Sequence, residues 1–223
     1  MSAEPIPSAT VVILRDGDAG VEVLMLKRNV DLSFHGGAWV FPGGRIDPID
    51  HTHAAREALV EAARHAAVRE ASEEAGVSLD PAALYLFARW VTPEALPKRF
   101  ATWFFVCEFQ KSQVVIDGGE VVDHRWIAPQ AALDAQARGE IDLPAPTYVT
   151  LLDIAPHPTA RAAVQSLGAR PLTVYNPRMR QVEDGVCTLY EEDVAYTGSD
   201  LDAPGTRHRL YMTKARYRYE RPG

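Results

Sequence analysis

The sequence predicts an α/β fold, and three observations lead to this prediction. Short apolar runs rich in β-branched and aromatic residues recur along the chain. Segments with helical character separate several of these runs. The 223 residues, 47% of them hydrophobic, suffice to bury one substantial core. We therefore expect one domain over residues 1–168, and a C-terminal extension with β-strands, residues 169–223, packed on it.

The first part of the chain is predicted to contain three strands and a helix. Residues 9–14 and 21–26 are apolar runs joined by turn-forming residues 16–20, which predicts a β-hairpin. A third strand, residues 38–41, leads into a glycine turn, Phe41-Pro42-Gly43-Gly44. The helix after this turn ends at Gly76, because glycine commonly terminates helices.

The second part is predicted to add strands and helices in turn. Residues 83–91 and 101–106 should pair as strands, and a strand near 123–127 precedes a helix over 129–138. The other predicted elements are helices at 148–154 and 159–167 and strands at 172–175, 186–190 and 209–219. The last strand alternates basic with small or aromatic residues, which is the period of a strand with one basic face.

Charge and composition argue against several classes of protein. The formal net charge of -7 disfavours a nucleic-acid or membrane-surface binder, since either needs a dominant basic face. Two cysteines, Cys107 and Cys187, argue against a disulfide framework. The N-terminus has no basic segment followed by an apolar one, and no uncharged stretch reaches the length of a membrane span. We expect a cytoplasmic protein.

Residues 69–77 place three carboxylates on one face of the predicted helix. Glu70, Glu73 and Glu74 occupy positions i, i+3 and i+4, which are neighbours on a helix surface. Carboxylates this close repel one another, so a divalent cation is expected to bind among them. The alternative interpretation is a solvated acidic helix face.

This acidic segment, with Glu61 and the glycine turn, resembles the signature of the Nudix hydrolases, G-x5-E-x7-R-E-U-x-E-E-x-G-U, where U is a bulky apolar residue. Residues 69–77 match it apart from the small Ala71. Glu61 fills the first acidic position, but Ala55 stands where the signature has glycine. Gly44 is the substitute, which leaves sixteen residues, 45–60, in place of five and so an insertion of eleven. The resemblance implies an α/β/α sandwich with a mixed sheet.

The region of this insertion, residues 45–60, is called the insert below. A turn is predicted at residues 47–50, and Thr52 is predicted to cap a helix that starts early, over residues 54–59. His51 and His53 alternate as transition-metal ligands can, but neither a cysteine nor a third histidine is near in sequence. We interpret the two histidines as part of a solvated loop.

The resemblance also implies a reaction, the hydrolysis of a diphosphate linkage with Mg²⁺, or alternatively Mn²⁺, as cofactor. Its metal ligands are oxygens of the helix and the glycine turn: Glu70, Glu73, Glu74 and the carbonyl of Gly43 or Gly44. Arg69 would orient a glutamate by ion pairing. Glu120 is the candidate for a further catalytic acid from outside the signature, with an exposed loop glutamate as the alternative.

Residues 28–44 resemble the corresponding region of coenzyme A diphosphatases, especially a branch that also carries an insertion. Arg28 and Gly37 match that pattern. Asn29 and Ser33 depart from it, because the pattern prefers serine or alanine at the first position and arginine at the second. The resemblance implies coenzyme A or acyl-coenzyme A as substrate, with Arg28 as a binding residue.

Other substrates and one role without catalysis stay open. Pro93 lies sixteen residues after Val77, near a proline of Nudix proteins that cleave ADP-ribose, and an NADH-type pyrophosphatase is a further alternative. Arg99 is a candidate for phosphate binding and Trp39 for stacking on adenine, each with an ordinary structural role as the alternative. A nucleotide-sensing module is disfavoured by the intact glutamates. The expected partners are a small-molecule nucleotide and a second copy of the chain.

Overall fold

A computed structural model describes residues 4–32, 34–51, 58–109, 113–116, 118–198, 200–214 and 216–222. The predicted cap Thr52, the predicted helix residues 54–57, His53 and Ser33 lie outside this part of the chain. Two compact units are present. The larger unit contains Pro7–Arg89 and Thr102–Thr173, and the smaller unit contains Met1–Ile6, Trp90–Ala101 and Val174–Gly223. The predicted boundary between residues 168 and 169 stays a prediction.

The predicted N-terminal hairpin is confirmed and forms the centre of the larger unit. Strand β1, Ile6–Gly17, pairs antiparallel with β2, Gly20–Arg28. The turn is tight, because Gly17 pairs directly with Gly20, and Gly20 has a φ of +124°, which favours glycine. The hairpin thereby places Arg28 at the C-terminal end of β2.

The glycine segment differs from its prediction as a turn. After β3, Trp39–Val40, the residues Gly43–Arg45 form a short strand, β4, that pairs antiparallel with β1. A Cβ on Gly43 would collide with the backbone of β1 at Ala9 and with Thr10. The absence of a side chain is therefore what lets β4 lie against β1, although glycine is a poor strand former.

The remaining strands complete the α/β fold with a mixed sheet, as predicted. They are β5, Tyr85–Val91, β6, Phe100–Glu108, and β7, Val121–Ile127. The order is β3-β2-β1-β6-β5, and β7 pairs antiparallel with β2. In the pairing of β7 with β2, Arg28 lies opposite Val121. The segment just before β7, which ends at Glu120, therefore lies close to Arg28.

Helix α1, Ala58–Ala75, packs on this sheet through small residues. Ala63, Ala66, Ala67 and Ala71 are fully buried in one cluster with residues of β1, β2 and β6. Because alanine brings a helix axis close to its neighbours, the small Ala71 suits a position where the signature has a bulky residue. The helix ends as predicted at Gly76, which has a φ of +65°.

Three further helices belong to the larger unit: α2, Pro129–Ala137, α3, Ala145–Ile154, and α4, Ala160–Gly168. All three were predicted, with ends that differ by a few residues. Thr159 caps α4 by accepting a hydrogen bond from the Ala162 N–H. Among the described residues, no helix is long and apolar enough to cross a membrane.

The smaller unit contains the strands of the C-terminal part: β8, Thr173–Tyr175, β9, Arg178–Val182, β10, Gly185–Leu189, β11, Arg209–Thr213, and β12, Tyr217–Glu220. The last four form an antiparallel sheet in the order β12-β11-β10-β9. The prediction of one strand over residues 209–219 is wrong. The Thr213 hydroxyl donates to the Arg216 carbonyl at 2.9 Å, which closes a turn between β11 and β12.

A buried ion pair stabilises this second sheet. Asp193 accepts hydrogen bonds from Arg209 Nε at 2.7 Å and Nη2 at 2.6 Å, and both side chains are at most 1% exposed. The same carboxylate accepts the N–H groups of Ala195 and His208, each at 2.8 Å. Burial alone would raise the pKa of Asp193, but these hydrogen bonds and the Arg209 charge together hold the pKa below its ordinary value.

An aromatic cluster, consisting of Trp90, Tyr175, Tyr190, His208 and Tyr219, also lies in the smaller unit. Trp90 and Tyr175 stack at 3.7 Å between ring centroids with an interplanar angle of 7°. Tyr190 meets both rings edge-on and is almost completely buried. This cluster joins residues that lie more than eighty positions apart in the sequence.

Candidate active site

The acidic face of α1 presents three glutamates in three different environments. Glu74 is buried, Glu70 is partly buried and Glu73 is exposed. This gradient arises because the last turns of α1 lie against β4, while the far side of the helix faces solvent. The predicted shared face is therefore real, and it is not a uniformly solvated surface.

Glu74 is held by the backbone of the glycine strand. The N–H of Gly43 donates to Glu74 Oε2 at 2.9 Å. Burial raises the pKa of Glu74 to about 8, against the effect of this hydrogen bond, and the negative charge of Glu70 acts in the same direction as burial. A carboxyl group in this setting gains stability from any cation that binds beside it.

Glu70 lies against the second glycine of the same strand. A Cβ on Gly44 would come closer than 3.0 Å to all three heavy atoms of the Glu70 carboxylate. Burial raises the pKa of Glu70, and Arg69 opposes this rise through its charge and a hydrogen bond at 3.0 Å. Gly43 and Gly44 thus each meet one glutamate of α1.

Arg69 connects α1 to the insert. Its guanidinium binds Glu70 and, at 2.9 Å, Glu73. It also forms a two-pronged ion pair with Asp50, with Nε and Nη2 at 3.1 and 3.0 Å from the two carboxylate oxygens. Asp50 ends a single-turn 3₁₀ helix, Pro48–Asp50, in the stretch predicted as a turn.

No sequence motif indicated a role for Asp50. The residue lies nineteen positions before Arg69, in a region without a repeating pattern. The only signal that could have indicated it is the presence of two acids, Asp47 and Asp50, in an insert that follows the glycine segment.

Arg28 and Glu120 meet near Glu74. Their side chains form an ion pair at 3.8 Å, and Glu120 is 65% exposed. The charges of both act on Glu74, whose pKa is lowered by Arg28 and raised by Glu120. Among the described residues, the buried Nε of Arg28 has no hydrogen-bond partner. The structure therefore brings these two predicted site residues together with the acidic helix.

Trp39 and Arg99 lie in less open settings. Trp39 is buried, and the guanidinium carbon of Arg125 lies 4.6 Å from the centre of its ring. Arg99 is buried within the smaller unit, where its Nε donates to the Thr92 carbonyl at 3.1 Å. Glu61 is exposed on α1 and pairs with Arg64 at 3.4 Å. Substrate contacts of Trp39 and Arg99 stay predictions.

The oxygen groups at this site suit a hard divalent cation. Carboxylates of Glu70 and Glu74 lie beside the backbone of Gly43 and Gly44, and such oxygens are the ligands that Mg²⁺ prefers. Within the described part of the chain, no three His, Cys, Asp or Glu side chains form a ready-made metal cluster. Arg69 is one reason why these carboxylates are not already clustered, because its Nη1 donates hydrogen bonds to both Glu70 and Glu73.

Comparison with known proteins supplies the family. The family model described as NUDIX domain matches residues 5–146, which is more than half of the chain. The chain belongs to the Nudix family. A relative in two strains of Mycobacterium tuberculosis, "Putative 8-oxo-dGTP diphosphatase 3", is 31% identical over 190 residues, which cover 79% of this chain and 74% of the relative.

Two solved Nudix structures are similar to the fold. A NUDIX hydrolase from Alicyclobacillus acidocaldarius has a TM-score of 0.66 at 25% identity, covering 76% of this chain and 99% of its own. The NUDIX domain of Shewanella oneidensis NrtR, complexed with ADP ribose, has a TM-score of 0.53 at 14% identity, covering 67% and 86%. The second similarity shows the fold alone. This Nudix chain is a pyrophosphohydrolase that acts on nucleotide diphosphate compounds.

The two glycines of β4 give a matched pair of substitutions. In Gly44→Ala the three atoms nearest to the new methyl group all belong to the side-chain carboxylate of Glu70, which can shift, so we expect a folded Nudix protein with at least about 10-fold lower activity. In Gly43→Ala the methyl group meets the β1 backbone, so we expect a lower melting temperature instead. Circular dichroism melts and initial rates measure both effects. A Gly44→Ala variant with wild-type rates would contradict the placement of Glu70 in the site.

Proposed function

We propose that the protein hydrolyses the diphosphate linkage of a nucleoside diphosphate derivative with Mg²⁺ as cofactor, or Mn²⁺ in its place. The observation that carries the proposal is the contact of two α1 glutamates with the glycine strand, where Gly43 binds Glu74 and Gly44 abuts Glu70. Buried carboxyl groups are costly unless something compensates them. A divalent cation bound by these oxygens would do so.

The ligands in this proposal are Glu70, Glu73, Glu74 and the carbonyl of Gly43 or Gly44. When bound, Mg²⁺ polarises the phosphoryl group and favours the deprotonation of water. One of the glutamates, or Glu120 from the segment before β7, accepts the proton of the attacking water. Glu120 is suited to this role because it is largely exposed and its charge acts on Glu74.

Arg28 binds the substrate phosphates in this proposal. Its side chain is mostly covered, its Nε is buried, and it lies close enough to Glu74 and Glu120 for its charge to act on both. A phosphate oxygen would accept the N–H that has no partner among the described residues. Such a bond would also place the diphosphate beside the carboxylates, where the cation is expected to bind.

Coenzyme A or acyl-coenzyme A is the substrate that the resemblance of residues 28–44 favours. The relative from Mycobacterium tuberculosis adds a second candidate, because its name gives 8-oxo-dGTP as the compound that it cleaves. ADP-ribose and NADH are the remaining candidates. All of them contain the same chemical group, a nucleoside attached to at least two linked phosphates, so the proposed site residues serve each of them.

A substrate panel tests the proposal. Purified protein is incubated with coenzyme A, acetyl-coenzyme A, 8-oxo-dGTP, ADP-ribose, NADH and a dinucleoside polyphosphate, each with Mg²⁺, with Mn²⁺ and with a chelator. We expect cleavage of one class with a clear preference, and no cleavage with the chelator. Cleavage that persists with the chelator would contradict the role of the cation. Tight binding of a nucleotide without any cleavage would favour a sensor.

A further inference from the structure

The insert of this chain contains a carboxylate that is bound to the guanidinium of Arg69. Asp50 is 3% exposed, whereas Asp47, three residues earlier in the same insert, is 54% exposed. Residues 47–50 of the insert fold back on themselves, because the Asp47 N–H donates to Asp50 Oδ2 at 2.8 Å. Asp50 is therefore a fixed group, and its ion pair with Arg69 links the insert to the acidic helix.

The hydrogen bonds of Arg69 use its whole donor set. A guanidinium has five N–H groups in one plane. Within the described residues, Nε and Nη2 bind the two oxygens of Asp50, Nη2 also binds the Arg45 carbonyl at 3.0 Å, and Nη1 binds Glu70 and Glu73. The two bonds to Asp50 fix the plane of the guanidinium, and only Nη1 is left for the glutamates.

We infer that Asp50 is a positioning residue that keeps Glu70 and Glu73 available to the cation by holding Arg69 side-on. With Asp50 in place, each of the two glutamates receives a single N–H from Arg69 on one oxygen atom and keeps its other oxygen atom for a metal ion. Without Asp50, the guanidinium is free to turn and bind a glutamate with two N–H groups. The inference rests on the proposed function, because it gives the insert a part in cation binding.

Charge supports the same conclusion. Asp50 and Arg69 form a neutral pair, so the Arg69 charge does not cancel the negative charge that Glu70 and Glu73 offer to a divalent cation. Removal of the Asp50 charge would leave the arginine charge uncompensated at hydrogen-bond distance from Glu70 and Glu73, and a nearby positive charge disfavours a cation. Asp47 lies 3.8 Å from Arg69 and is exposed, so water screens most of its effect.

The test compares Asp50→Asn with Asp47→Asn in the full chain. Both substitutions remove one carboxylate from the insert, but only the first breaks the side-on pair. We expect Asp50→Asn to raise the dissociation constant for Mn²⁺, measured by calorimetry without substrate, by about 10-fold or more. The Mg²⁺ concentration that gives half-maximal activity should rise equally, while the rate at saturating Mg²⁺ recovers. Asp47→Asn should change both quantities less than about 3-fold.

Equal effects of the two substitutions, or no effect of Asp50→Asn on the Mn²⁺ constant, would overturn the inference. A melting curve for each variant shows whether the protein is folded. A loss of folded protein would lower the amplitude of the calorimetric signal, whereas the loss of Asp50 as a positioning residue would raise the dissociation constant for Mn²⁺. If Asp50→Asn does not fold, Arg69→Lys keeps the charge but cannot pair side-on, and an unchanged Mn²⁺ constant in that variant also overturns the inference. A wild-type protein that binds no Mn²⁺ would instead refute the proposed function itself.

Discussion

Glu74→Gln is expected to lower cation-dependent hydrolysis at least about 100-fold while the protein stays folded. Glutamine keeps the size of the side chain, and its amide oxygen can still accept the N–H of Gly43. It cannot supply a carboxylate to a cation or accept a proton from water. Initial rates on the preferred substrate at saturating Mg²⁺ measure the loss.

Glu73→Gln is expected to act in the same direction, although Glu73 is exposed and bound to Arg69. The control is Glu140→Gln, which changes a surface glutamate paired with Arg138 and should leave the rate unchanged. Circular dichroism melts should show similar midpoints for all three variants. Full activity in both the Glu73 and the Glu74 variant would rule out the proposed site.

Asp193→Asn is expected to have the largest effect on stability. Arg209 is 1% exposed, and the substitution would leave its charge buried with no carboxylate beside it. Breaking a buried pair by removing one partner costs about 3 to 5 kcal/mol. Urea unfolding followed by circular dichroism should show a lower midpoint, whereas the exposed Asp202→Asn should stay close to wild type. Equal midpoints for the two variants would contradict a stabilising pair.

The Asp193 carboxylate should also make the stability of the folded protein depend on pH. Because the pKa of Asp193 is lower in the folded protein than its ordinary value of 3.8, the folded state binds this proton less readily than the unfolded state. The contribution of Asp193 to the free energy of unfolding is therefore complete when the pH is above the ordinary pKa of 3.8. It is lost as the pH falls through the lower pKa that Asp193 has in the folded protein. The stability difference between wild type and Asp193→Asn should shrink as the pH is lowered below about 4.

Local patterns predicted the hairpin, the acidic helix and its end at Gly76, because each depends on residues close together in the sequence. The spacing of Glu70, Glu73 and Glu74 likewise predicted their shared face. Two features had no such local signal. The glycine strand β4 forms because a side chain is excluded beside β1, and this exclusion depends on residues more than thirty positions away.

The role of Asp50 could not be predicted from the sequence either, because its partner Arg69 lies nineteen positions later and no local pattern connects the two residues. In the C-terminal part, alternation of side chains suggested one long strand through Lys214 and Arg216. The Thr213 side chain instead closes a turn there, and a side-chain hydrogen bond of this kind is not visible in a hydrophobic pattern.

Strands β5 and β6 each contribute residues to both units, since the chain passes between the units at Arg89 and again at Ala101. During synthesis, Trp90 therefore leaves the ribosome long before Tyr175 and Tyr190, the rings that cover it. The smaller unit can be completed only when residues 174–223 have emerged, and until then Tyr175 and Tyr190 cannot cover the ring of Trp90. Folding of this unit is thus delayed until residues 174–223 have been made, and chains that lack these residues should aggregate.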